Sequence, residues 1–157
     1  MCIRDSHKGE VYTFFEHENL DEFLELLEDV ELLVSFNGCS FDVPRVLDYF
    51  HVPELPCAHI DLRWLCYHAA WTGGLKAIAE NMQIRRPLDL HDADGREAIE
   101  LWHRWREDGD LPAKIRLARY CAADTLLLKL VANHALWEKG VDVDCERPLE
   151  LWCQLPE

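Results

Sequence analysis

The sequence is short of the features that mark several common protein classes. Its 157 residues include only 16 Lys and Arg against 30 Asp and Glu, a net charge of −14. That scarcity of positive charge excludes a uniformly basic nucleic-acid-binding surface; any such site must be local or metal-assisted. No apolar run approaches the length of a membrane span, so no transmembrane helix and no membrane partner are expected. The first residues are polar and lack the apolar core of a secretory signal. No two of the seven cysteines are spaced Cys-x-x-Cys, and no two of the eight histidines His-x-x-x-His. A zinc site needs close ligand pairs, so neither set reads as one. The odd cysteine count reads as reduced thiols of a cytoplasmic protein, mostly small core residues. Internal repeats and low-complexity linkers are also missing.

What the chain does have is a core. Hydrophobic residues make up 49%, which argues against disorder, and the length is that of one domain or part of a larger one. Val11–Phe15 alternates weakly and reads as a strand. Asn19–Val30 reads as a helix, with Leu20, Phe23, Leu24, Leu27 and Val30 on the helical period and Asn19 with Glu22 in a capping-box pattern. Leu32–Phe36 is a short apolar run, as in a strand buried on both faces, and Asn37-Gly38 ends it. A short helix follows over Pro44–Phe50, with Pro44 in its first turn. Cys57–Leu62 is a second candidate buried strand, followed by a helix to about Trp71. After Gly73-Gly74, Leu75–Met82 reads as a short helix and Arg85–His91 as a loop. Asp94 caps a helix that Gly109 stops, and Leu111 to about Trp137 is a long apolar helix. The order of strand, helix, strand, helix, strand and then helices predicts an α/β domain with a helix-rich C-terminal half. Beyond Gly140 the pattern fades.

Two local arrangements carry candidate chemistry. The first is Asn37-Gly38-Cys39-Ser40-Phe41-Asp42-Val43-Pro44, directly after the apolar strand. Loops at the carboxyl ends of strands carry the sites of α/β folds. Asp42 is either a site carboxylate there or a cap of the Pro44 helix, with Asn37 a substrate contact or a support of the turn. The second is Tyr120-Cys121-Ala122-Ala123-Asp124. Tyr120 and Asp124 are four apart and share a helix face. A carboxylate in so apolar a stretch is costly to bury unless it meets a cation or a donor; the plainer reading points it at solvent. Asp61, closing the second buried strand, is a helix N-cap or a third site carboxylate. Gly73-Gly74 permits close backbone approach and makes Lys76 a candidate phosphate contact, or the pair is only a turn.

Taken together, Asn-x-x-x-Phe-Asp after one strand and Tyr-x-x-x-Asp on a late helix resemble motifs two and three of the DEDD superfamily of 3′–5′ exonucleases, in its Tyr-containing subclass. Leu33-Val34-Ser35-Phe36-Asn37-Gly38, His59-Ile60-Asp61-Leu62, Gly73-Gly74-Leu75-Lys76 and Asp94-Gly95-Arg96-Glu97-Ala98 narrow this to the YprB-type ribonuclease H-like domain, a bacterial predicted exonuclease family. The resemblance runs from about Val11 to Trp137. It implies a ribonuclease H-like fold and a phosphodiesterase with two Mg²⁺ or Mn²⁺ ions roughly 4 Å apart. By resemblance Asp124 is a direct metal ligand, Tyr120 orients the attacking water, and Asp42 supports the second metal through water. Asp61 is an added candidate ligand, and Asn37 and Lys76 are the candidate substrate contacts. The implied partner is the single-stranded 3′ end of DNA or RNA. Arg104, Arg106, Lys114, Arg116 and Arg119 offer a local basic patch, or a solvated helix surface.

Motif one of that family is Asp-x-Glu on the first and central strand, and no strand read in this sequence carries it. The nearest match there, Glu16-His17-Glu18, has the wrong first residue and lies 26 residues before Asp42, where the family leaves room for two more strands and a helix. Met1-Cys2-Ile3-Arg4-Asp5-Ser6 resembles a run of adapter origin at the head of unrelated translated environmental reads. The expectation is therefore a partial domain over 7–140, with residues 1–6 an artefact, the first two strands absent, and 141–157 a tail or the start of a following segment. Little or no nuclease activity is expected from such a chain. Two other readings stay open: a non-catalytic ribonuclease H-like module that binds nucleic acid or protein, and an acidic α-rich interaction domain with accidental motifs.

Overall fold

The run Leu32-Leu33-Val34-Ser35 forms a strand, but with one neighbouring strand among the described residues. The computed structural model describes residues 2–7, 10–143, 151–153 and 155. In it β1 (Cys2–His7) and β2 (Glu10–Phe15) make an antiparallel hairpin, with Cys2 opposite Phe15. Then come α1 (Asp21–Glu28), β3 (Leu32–Ser35), α2 (Asp42–Phe50), β4 (Ala58–Asp61), α3 (Leu62–His68) and α4 (Leu75–Asn81). A short 3₁₀ turn at Leu88–Leu90 leads to α5 (Gly95–Asp108) and α6 (Leu111–Glu138). β3 and β4 pair in parallel, Leu32 opposite Ala58 and Ser35 opposite Asp61, with α2 as the crossover. The described residues thus hold a mixed α/β arrangement with two separate two-stranded sheets.

Several expectations need correcting here. β3 is not buried on both faces: Leu32 is 44% exposed and the other three residues are half-buried. A parallel strand is covered when neighbours and helices enclose it, and among the described residues β3 pairs with β4 alone. β4 likewise leaves Ala58 and Ile60 exposed. A strand forms at Cys2–His7, where no element was expected, because its backbone is completed by β2 across the hairpin. The Asn19–Glu22 capping box does not form. The Asn19 side chain instead accepts from the Phe15 N–H at 2.9 Å and donates to the Thr13 carbonyl at 3.0 Å, tying down the end of the hairpin.

Helix α6 is the spine of the fold. Pro112 sits in its first turn, Asp110 caps it by accepting from the Ala113 N–H, and Ala118, Ala122, Ala123, Leu126, Leu127 and Val131 are buried along it. The small residues let α4 approach, and Leu62 and Cys66 of α3 with Ile78 and Ala79 of α4 complete that core. Leu151 is fully buried in the same cluster; most of the segment around it, 144–150, and residues 154, 156 and 157 lie outside the described residues. A second cluster joins Phe14 of β2 to Leu20, Phe23, Leu27 and Val46. Two expected caps hold: Asp94 accepts from the N–H groups of Arg96 and Glu97, and Gly109 ends α5 in the left-handed conformation, φ 69°. No helix among the described residues is long and apolar enough to cross a membrane.

Candidate active site

Beyond Ser35 the chain turns sharply. Asn37 is left-handed at φ 65°, a conformation Asn tolerates better than most residues. Gly38 is packed so closely that a Cβ there would lie 2.1 Å from the Ser35 Oγ, so only glycine fits. Beneath it Ser35 Oγ and His59 Nε2 are 2.8 Å apart. The turn is held by Asp61, which is 7% exposed. Its Oδ1 accepts from the Asn37 N–H at 2.7 Å and the Arg63 N–H at 3.1 Å, and its Oδ2 from the Cys39 N–H at 3.0 Å. Arg63 also donates to the Asn37 side-chain oxygen. Register explains the meeting: Ser35 and Asp61 lie side by side, so both loops leave the sheet at one point. Asp61 is the N-cap of α3, and all three amides would compete with any metal for its oxygens.

This turn delivers Asp42 as the first residue of α2. The helix is preceded by Phe41 and has no side-chain cap bond, so Asp42 does not serve as the cap. No ion pair holds its side chain among the described residues; surrounding protein together with the Asp61 carboxylate pushes its carboxyl above the usual range, against the smaller opposing pull of its own backbone N–H and of His59.

Across a cavity of about 430 Å³, α6 presents Tyr120 and Asp124. Leu33 to Phe36 line one side of the cavity and Phe23, Val46, Leu55 and Leu128 supply apolar wall. Asp42, Tyr120 and Asp124 all border it. Asn37 and Lys76 do not. Asp124 ion-pairs with Arg86, whose Nη2 lies 2.6 Å from its Oδ1. Arg86 is 6% exposed at its side chain. Its Nη1 donates to the carbonyls of Leu90 at 3.2 Å and Ala93 at 3.1 Å. Its guanidinium lies over the Tyr120 ring at 5.1 Å, and the Lys76 ammonium over the same ring at 5.2 Å. Lys76 itself donates to the Ala93 carbonyl at 2.5 Å.

Burial dominates the acid–base character of this cluster. It raises the Asp124 carboxyl above the usual range despite the opposing pull of Arg86 and Lys76. It lowers Lys76, with Arg86 adding to the effect. It raises the Tyr120 phenol well above its ordinary value, and the hydrogen-bonded Asp124 carboxylate adds to that. Tyr120 is therefore a neutral donor at ordinary pH, suited to hold a water or a phosphate oxygen.

Arg86 went unread in the sequence. A signal for it existed, because a carboxylate in the apolar face of α6 demands a cation or donor. Nothing local named the partner, which lies 38 residues away.

Other candidates fall elsewhere. Glu16-His17-Glu18 is in the turn after β2, and Glu18 pairs with Lys114 at 2.5 Å. An Asp-x-Glu tripeptide does occur at Asp29-Val30-Glu31, but it enters β3 from the end opposite the Asn37 loop and both acids are exposed. The basic patch is largely neutralised: Arg104 pairs with Asp110, Lys114 with Glu18, Arg116 with Glu97 and Arg119 with Asp89.

A family model described as RNase_H superfamily matches residues 3–136. The chain belongs to the RNase H superfamily, a class of nuclease-like, nucleic-acid-related domains. No curated protein and no solved structure matches it. Nucleases of this superfamily generally use divalent metals. Asp42 and Asp124 offer the oxygen donors that hard cations prefer. Yet no group of three His, Cys, Asp or Glu is placed to hold a metal ion among the described residues. Two carboxylates do not make a two-ion site, so these residues do not by themselves fit the implied metal pair.

Proposed function

We propose that this chain carries part of the site of a metal-dependent 3′–5′ exonuclease of the DEDD superfamily, in its Tyr-containing, YprB-type subclass. The observation that carries the reading is the convergence of Asp42, Tyr120 and Asp124 on one cavity from two elements far apart in sequence. In this reading Asp124 and Asp42 contribute carboxylate oxygens, and Tyr120, kept protonated by burial and by Asp124, orients a water at the phosphodiester. Arg86 fixes both α6 side chains. The substrate is a single-stranded 3′ end of DNA or RNA, approached locally, since the chain as a whole is acidic. With two carboxylates in place and no third ligand grouped with them among the described residues, turnover by this chain is little or none.

The test has two readings. Mn²⁺ titration followed by the free-ion electron paramagnetic resonance signal should reveal one weak site, abolished by Asp124→Ala and weakened by Asp42→Ala. If binding is absent, or indifferent to Asp124, the site assignment fails. Incubation of 3′-ended single strands with Mn²⁺ should give no trimming; metal-dependent trimming lost in Asp124→Ala would overturn the expectation of inactivity and leave the assignment standing.

A further inference from the structure

Helix α3 buries one face and leaves the other uncovered. Leu62 and Cys66, one turn apart, pack into the core at 2% and 0% exposure. Trp64 and Tyr67 stand on the remaining face at 56% and 62%. Their rings are 6.5 Å apart and nearly perpendicular, and the Tyr67 ring is 5.8 Å from that of His68. Trp137 on α6 is exposed as much, at 59%, so exposure of one ring is not the signal; two exposed rings in contact on one short helix make a contiguous patch, which is the signal.

Charge indicates what it meets. The chain has 30 Asp and Glu, yet the stretch from Leu62 to Ala79 has none. On α3 itself it contains instead Arg63, which is exposed, and His68; Lys76 lies on α4 and is turned to the Ala93 carbonyl. A surface of flat rings, with the Arg63 guanidinium beside them and no exposed carboxylate on its helix, suits a polyanion that itself presents flat rings: unpaired nucleic-acid bases on a phosphate backbone. An apolar protein partner would need the rings but not the local absence of acid. The position agrees. The Arg63 N–H and the Asn37 and Cys39 N–H groups share the Asp61 carboxylate. The exposed face of α3 therefore begins beside the turn that delivers Asp42.

We infer that Trp64 and Tyr67, with Arg63 beside them, form a stacking platform for unpaired bases of single-stranded nucleic acid leading to the Asp42 loop. This rests on the nucleic-acid reading above, and it adds a place where the strand is held independently of metal. The platform recognises bases as rings, so it serves DNA and RNA alike.

The experiment is fluorescence anisotropy of a labelled oligodeoxythymidylate with the full chain, in EDTA and at low salt. The result expected is measurable binding by the wild type, with Trp64→Ala and Tyr67→Ala each losing affinity on the order of tenfold. Trp64→Phe, which keeps a ring, should recover most of the loss. A strand of abasic units should bind the wild type as weakly as the normal strand binds the Ala variants. Both residues are exposed, so the variants should unfold in urea like the wild type. If the wild type binds and the Ala variants bind equally, the platform is wrong and the nuclease reading survives. If the wild type binds no strand at all, the nucleic-acid reading itself falls, and the platform with it. If the wild type sediments as a dimer that Trp64→Ala separates, with strand binding unchanged, the face covers a second copy and the platform is overturned.

Discussion

The two sides of the cavity hold their carboxylates by different means. On the α6 side, Asp124 is gripped by charge: Arg86 pairs with it, is anchored to two carbonyls, and lies against Tyr120. On the α2 side, Asp42 has no ion-pair partner among the described residues, and its position comes from the backbone beneath it. That backbone is held by Gly38 packed on Ser35 and by three amides converging on Asp61. A carboxylate fixed by an ion pair is rigid but partly occupied. One fixed through its backbone is open to a ligand but depends on a turn that tolerates little change. The comparison teaches that residues of one presumed role can have opposite sensitivities to mutation.

The sharpest way to break the comparison is at Arg86. Arg86→Ala removes a buried cation, leaves Asp124 facing the cavity without its ion-pair partner, and takes the Arg86 donor from the carbonyls of Leu90 and Ala93, of which Ala93 keeps Lys76. A loss of about 3 to 5 kcal/mol is expected, read as a lower urea midpoint. Arg86→Lys should recover little of it, because an ammonium cannot span two carbonyls and a carboxylate with a planar fork. Equal stability of wild type and Arg86→Ala would mean that Asp124 is not held by charge.

The next largest effect is expected on the other side. Asp61→Ala strips the acceptor from three backbone amides, one of them in the first turn of α3. A loss of roughly 2 to 3 kcal/mol follows from unsatisfied, half-buried donors. Amide hydrogen exchange at Asn37 and Cys39 should accelerate, while exchange along α6 below Asp124 stays as in the wild type. Acceleration on both sides would show that the two halves of the site are one cooperative unit.

How much of this was legible follows the same division. Local rules worked where the partner is local. Asp94 caps the N–H groups two and three residues on, Gly109 takes the left-handed turn, and Asp61 caps α3, all within reach of their own elements. Tyr120 and Asp124 are brought onto one face by helical period alone. The rest depends on distant chain. The Asn19 capping box fails because its side chain serves the end of a hairpin whose pairing the short alternation did not announce. The half-exposure of β3 is a matter of how many strands flank it, which no run of apolar residues reports. Arg86 is in plain view as a charged residue, but its burial and its partner are decided by how α6 packs on the loop after α4. The clustering of Asp42 with Asp124 was inferred from a motif resemblance, and their distance along the chain left no other route to it.

The smallest expected effect is the most discriminating, because it concerns the carboxylate that no ion pair holds among the described residues. The Asp42 carboxyl is raised above its ordinary value of 3.8 by surrounding protein and by Asp61. The folded chain then binds a proton over a pH window in which the unfolded chain has released it. Its contribution to stability is complete below the unfolded value and is lost as pH rises through the folded one. Asp42→Asn carries no such charge. Relative to the wild type it should be no more stable below about pH 3.8, gain through the window above that value, and stay slightly ahead at neutral pH. The gain should be within about 0.5 kcal/mol, as for an exposed position. Urea midpoints of the two proteins from pH 3 to 8 measure this directly. A variant less stable at neutral pH would mean that Asp42 is held by a favourable interaction after all, and that the two sides of the cavity are built alike.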